Sequence, residues 1–259
     1  MPIRFRIGDS AEAGFALSPV AEATLSLHVL LFPKHHALQH PWVRAMHRVS
    51  PALKREIQAL VWLYQDAMPD CILPSGIGDR PSFEEQLARV RALPEEVAVY
   101  DLARPLFFWV EANGGGPDRL ADSETQELVL KRAATASPET AEAAKLIFAD
   151  PGALRSRFLG LLERYWEEAF AREWERLEPR LVEEIEEAQE VLGEKGVFAL
   201  LDRHPELDLD RDEGLIVRRS SHEHDVRVTR ERPLVLVPSA YVWPHVRANC
   251  EEPWPLALV

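Results

Sequence analysis

Cysteine is scarce in this chain of 259 residues: Cys71 and Cys250 are the two present, and they share no Cys-x-x-Cys spacing. That excludes a secreted-type disulfide framework and a four-cysteine zinc site, and it reads as two thiols in a reducing compartment. Positive charge is also short, with 30 Lys and Arg against 43 Asp and Glu and a net charge of −13. Such a chain repels a phosphate backbone unless its basic residues gather on one face, so by itself it makes a poor nonspecific nucleic-acid binder. No apolar run approaches the roughly 18 residues of a membrane helix, and the opening MPIRFRIGDSAEAGFALSP lacks the apolar stretch of a signal peptide. The expectation is a cytoplasmic protein without membrane contact.

Catalytic signatures are missing as well. Gly76-Ile-Gly78 does not extend to a dinucleotide-binding pattern, and no glycine-rich loop ends in Gly-Lys-Ser or Gly-Lys-Thr. No Gly-x-Ser-x-Gly elbow surrounds Ser220 or Ser221 beside His222. The paired acids Glu183-Glu184 and Glu186-Glu187 lie on a charged stretch with nothing to raise one pKa relative to the other. The reading is a non-enzyme with no cofactor and no catalytic residue.

What is present is a globular composition, 46% hydrophobic and 28% charged, long enough to bury a large core without staples. Four prolines follow a cap-forming residue, in Ser18-Pro19, Ser50-Pro51, Ser137-Pro138 and Asp150-Pro151. Each pair predicts a helix start, because the side-chain oxygen accepts an orphan amide while proline occupies the first turn. Ser82 and Glu85 have the spacing of a capping box, and a further helix is predicted near 123–135. The first helix should end before Pro33 and the second before Pro69, and the Gly114–Gly116 run predicts an exposed turn. From 150 to 192 the helical period is strongest, with Pro179 expected to kink or divide it. Residues 161–195 carry twelve Glu against five Arg or Lys, which predicts a solvated acidic face.

Past Gly196 the period shortens, and the 214–217, 225–228 and 234–237 stretches read as strands, with 229–233 as a hairpin turn. The expected fold class is α+β: one domain spanning 1–259, mainly helical to about 210, with a small antiparallel β unit over 211–259.

Several clusters invite a binding reading. His28, His35, His36, His40 and His47 crowd twenty residues. His36 and His40 face the same way if their segment is helical, which makes His35, His36 and His40 weak metal candidates. His222 and His224 alternate along a strand start and need a third ligand, with His245 or Asp225 as the candidates. Tyr165, Trp166, Arg172 and Trp174 are placed to line a groove or a subunit contact, while Trp42 and Trp243 are further aromatic candidates for a pocket or interface.

RFRIGDSAEAGFALSPVAEATLSLHVL at 4–30, PKHHALQHPWVRAM at 33–46 and PSAYVWPHVRANCEEPWPLALV at 238–259 resemble the long N-terminal domain of bacterial ArsR-like transcriptional regulators. The likeness is carried by His28, His35, His36, His40, Trp42, Arg44, Pro238, Ser239, Trp243, Pro244 and His245. In that family a DNA-binding winged helix-turn-helix follows the strand that looks like PWPLALV. The resemblance therefore implies a transcription-regulation role, with the chain ending before its winged helix and DNA reached only through that missing domain. It further implies a homodimer, with the 151–192 stripe as the leading interface, and an effector-sensing or dimerisation role that includes a possible small-molecule effector. A small-ligand or metal-binding module is the alternative, and a hydrolase is the weakest reading.

Overall fold

The structure, a computed structural model, describes residues 3–8, 11–46, 49–110, 117–202, 204–210, 214–217 and 224–259. Its strands are β1 (Ile3–Ile7), β2 (Ala13–Phe15), β3 (Leu207–Asp210), β4 (Gly214–Val217), β5 (His224–Val228), β6 (Leu234–Leu236), β7 (Ala248–Asn249) and β8 (Leu256–Leu258). Its helices are α1 (Pro19–Leu31), α2 (His40–Ala45), α3 (Pro51–Ala59), α4 (Phe83–Ala92), α5 (Glu95–Phe107), α6 (Ser123–Ala136), α7 (Pro138–Ala149), α8 (Pro151–Tyr165) and α9 (Ala171–Leu201). The class is α+β and mostly helical.

All four proline-led starts are helix N-termini with the expected cap. Ser18 Oγ accepts from Ala21 N at 2.9 Å, Ser50 Oγ from Leu53 N at 3.3 Å, Ser137 Oγ from Thr140 N at 3.0 Å and Asp150 Oδ1 from Ala153 N at 2.9 Å. Ser82 directly precedes α4, and Asp122 caps α6 by accepting from Thr125 N at 3.1 Å. Pro179 neither divides nor ends α9. Its ring removes one amide donor, but Glu175, whose carbonyl loses that partner, is exposed to water. The break lies instead at Gly196, whose φ of 78° is open to glycine at no steric cost. The Gly114–Gly116 turn lies outside the described residues.

The sheets differ more from expectation. One has the order β3-β4-β1-β5 and the other β2-β6-β8-β7, so strands from the first fifteen residues enter both. Strand β1 alternates buried Ile3 and Phe5 with half-buried Arg4 and exposed Arg6, and it pairs antiparallel with β4 and parallel with β5. The second sheet pairs β6 in parallel with β2 and with β8, and both Leu234–Leu236 and Leu256–Leu258 are buried at every position. Strands covered on both faces read as continuous apolar runs rather than alternating ones. Consequently 229–233 is no hairpin turn: β5 and β6 belong to different sheets, and the turn, closed by Thr229 N donating to Arg232 O at 3.1 Å, links them.

Two compact units interleave along the sequence. Met1–Glu22, Leu73–Phe83 and Glu173–Val259 form one unit, which holds both sheets and nearly all of α9. Ala23–Ile72 and Glu84–Arg172 form the other, which is helical. The helical unit buries Leu53, Leu102, Phe107, Val129, Phe158 and Leu161 completely. It also encloses an ion pair between Arg104 and Asp70, with Asp101 accepting from Asp70 N at 3.1 Å and Cys71 N at 2.8 Å. No described helix is long and apolar enough to cross a membrane.

Candidate ligand-binding site

The loop after β6 carries Pro238, Ser239, Trp243 and His245, four of the positions singled out in the sequence. It lines a cavity of about 290 Å³ within the sheet-bearing unit. The walls are mainly apolar: Leu200 and Leu201 from the end of α9, Leu236 and Leu258 from the sheet, and Val242 and Val246 from the loop. Polar groups converge at few points, namely Glu184, His204, Ser239 and His245. An apolar hollow with a few placed polar groups is the usual form of a small-molecule site.

The loop is held from two sides. Glu206 accepts from Val246 N at 3.1 Å and lies 3.3 Å from His245 Nδ1. Ser239 Oγ accepts from Tyr241 N and Val242 N, both at 3.1 Å, which fixes a tight turn below Trp243. Trp243 itself is 43% exposed and stands edge-on to His204, with ring centroids 5.3 Å apart. Burial holds the His204 imidazole below its ordinary pKa, against the opposing pull of Glu206. The neutral ring is therefore favoured at the cavity mouth.

Beneath Ser239 lies the residue that the sequence reading passed over. Glu22, in the first turn of α1, accepts from Ala240 N at 2.7 Å and is hydrogen-bonded to the Ser239 side chain. It is 2% exposed, and its carboxyl is pushed up to about 7. Desolvation is the chief cause and the Glu184 carboxylate a smaller one, while the bonds from Ser239 and Ala240 act in the opposite sense. The signal was legible: Glu22 is the single acid in a thirteen-residue helix that carries no Lys or Arg and is mostly apolar. Glu184, read only as part of a solvated acidic face, borders the cavity and acts on Glu22.

The other candidates disperse. Tyr165 is fully buried in the helical unit, where its hydroxyl lies 2.7 Å from Ser26 Oγ and its ring stacks on Phe170. Trp166 also packs against Phe170, at 5.8 Å, and Arg172 is exposed. Trp174 is buried in the sheet-bearing unit, so these four residues do not line one groove within either unit. Trp42 is nine-tenths buried on α2. The 151–192 stripe is likewise internal, with Leu154, Phe158, Leu161 and Leu162 at 0% exposure, so it offers no free apolar face for a subunit contact.

Among the histidines, His36 is buried and His40 exposed, because 3-10 turns at Pro33–His35 and Ala37–Gln39 replace the regular helix that would have aligned them. His40 Nε2 lies 2.8 Å from Pro33 O, and the His36 ring stands edge-on to His28 at 5.2 Å. His35 is exposed. His222 and His47 lie outside the described residues. His224 finds neither His245 nor Asp225 as its third partner: Asp225 is bound by Arg6 through two bonds of 2.6 Å, and His224 lies instead beside Cys250 and Glu251. No spacing signals that group, since 26 positions separate His224 from Cys250.

A family model described as "Family of unknown function (DUF5937)" matches residues 7–259. No curated protein matches the chain, and no solved structure does.

Proposed function

We propose, starting from a chain that belongs to the DUF5937 family over nearly its whole length, that it is the effector-sensing part of a transcriptional regulator. The observation that carries the sensing role is the cavity beneath Trp243, mainly apolar, with Ser239, Glu184 and two imidazoles as its polar points. The regulatory role rests on the resemblance of 4–30, 33–46 and 238–259 to ArsR-like N-terminal domains. The resemblance and the cavity share the loop at 238–245.

On this reading the ligand is a small, mainly apolar molecule bearing a hydrogen-bonding group. Its body fills the space between Leu200, Leu236 and Leu258, and its polar group meets Ser239 or Glu184. Binding is transmitted through the turn that Ser239 and Glu22 hold together. The chain works without turnover, and the regulator reaches DNA through a separate winged-helix domain of the kind the resemblance implies, in a homodimer whose contact uses a surface other than the 151–192 stripe.

Transcript profiling tests the regulatory role. A strain whose gene carries Val246→Trp, which fills the cavity from its partly exposed rim, and a strain lacking the gene are compared with wild type. Both are expected to alter the same small set of transcripts. Unchanged transcripts in both strains overturn the regulatory reading, and a change in the deletion strain alone removes the cavity from it.

A further inference from the structure

We propose that His224, Cys250 and Glu251 form a zinc-binding site, separate from the cavity and from the histidine-rich segment. One nitrogen, one sulfur and one carboxylate oxygen from these residues all lie within 4.8 Å of one another. Donors held about 2.0 to 2.3 Å from a common zinc ion stand roughly 3 to 4 Å apart, so small rotations of these side chains complete the set. An imidazole, a thiolate and a carboxylate are a donor set for zinc, and the soft thiolate disfavours magnesium and calcium. With one neutral and two anionic donors the bound ion is charge-balanced.

The backbone brings these donors together from two segments of the chain. His224 opens β5, whose register against β1 is fixed by five consecutive pairs beginning at Ile3↔His224. Cys250 and Glu251 follow β7, which pairs with β8. Arg232 Nη2 donates to Cys250 O at 2.7 Å, Glu251 N to Asn249 Oδ1 at 3.1 Å and Asn249 Nδ2 to Pro255 O at 2.8 Å. These bonds fix the loop independently of the three donor groups. Cys250 is 4% exposed, whereas the side chains of His224 and Glu251 are 30% and 35% exposed. The buried thiol therefore forms the floor, and a fourth position opens toward solvent for a water molecule or an exchangeable ligand. His224 Nε2 lies 2.9 Å from Glu251 Oε1, so a plain ion pair with the thiol as a bystander is the competing reading.

The experiment uses the full chain without a histidine tag. Zinc is measured by competition with a chromogenic chelator, and cobalt is added in its place to read the near-ultraviolet band of a thiolate bound to cobalt. The expected result is one zinc per chain. The cobalt band is expected in wild type and in Cys71→Ala, and lost in Cys250→Ser. His224→Ala and Glu251→Gln, at partly exposed positions, should keep the far-ultraviolet circular dichroism of the fold and weaken zinc binding by more than about tenfold, the loss that even an outer-shell partner can cause. These two variants decide the matter if Cys250→Ser fails to fold. Substoichiometric zinc, absence of the cobalt band, its persistence in Cys250→Ser, or zinc affinity unchanged in both His224→Ala and Glu251→Gln overturns the site in favour of the ion pair.

Discussion

At the scale of single residues, Glu22 has the clearest consequence. Its carboxyl titrates near 7 when folded and near 4.5 when free, so between those values the folded chain binds more protons than the unfolded one. Stability from this group is therefore greatest below about pH 4.5 and falls as pH rises, reaching a constant loss of ~3 kcal/mol above the folded value. Glu22→Gln keeps an oxygen for Ala240 N and removes the ionisation. Urea unfolding from pH 5.5 to 8 should show wild type losing stability relative to the glutamine variant, with the gap widening up to about pH 7 and level above it. A constant gap would mean that Glu22 is not protonated in the folded chain. Glu22 was visible in the sequence as the lone acid of a mostly apolar helix. The His224, Cys250 and Glu251 group was not, because strand register and not spacing brings it together.

Elements were legible where the signal is local. A capping oxygen followed by proline specifies a helix start within four residues, and Ser18, Ser50, Ser137 and Asp150 all act that way. Sheet membership depends on partners far along the chain: the alternation in Ile3–Ile7 is plain, but nothing nearby says that β4 and β5 flank it. Nor does an apolar run such as Leu234–Leu236 reveal that its neighbours are β2 and β8. Pro179 misled for a related reason, since the cost of an interior proline falls when water satisfies the freed carbonyl.

Glycine provides the test at this scale. Gly214 has φ 99°, and a Cβ there would stand 2.1 Å from Phe5 O, against the backbone of β1. Gly160, within α8, has nothing within 4 Å of the corresponding position. Gly214→Ala should lower stability by at least ~1 to 3 kcal/mol through strain and loss of β1–β4 pairing. Gly160→Ala should raise it by up to ~1 kcal/mol, the difference in helix propensity. Thermal midpoints check both, and a Gly214→Ala chain as stable as wild type would contradict the β1–β4 register.

At the scale of the whole molecule, the sequence predicted an α+β, mainly helical fold, and that class is the one observed. It did not reveal that the first 22 residues join the C-terminal segment in one compact unit while 23–72 and 84–172 form another. Serial reading misses interleaving because the deciding contacts are long-range. That same unit joins Glu22 to the loop at 238–246 through Ala240 N and the Ser239 side chain, and Ser239 in turn lines the cavity. The net charge of −13 gives the chain as a whole no attraction for a phosphate backbone, in keeping with the sensing role proposed above.

The most direct test of that role is a fluorescence titration with N-phenyl-1-naphthylamine, a neutral apolar probe with one N–H group, on wild type and on Val246→Trp. Wild type should show saturable enhancement with one probe per chain. Val246→Trp, with unchanged circular dichroism and thermal midpoint, should show none. Absence of saturable binding to wild type, or equal binding to the filled variant, would contradict a ligand cavity beneath Trp243.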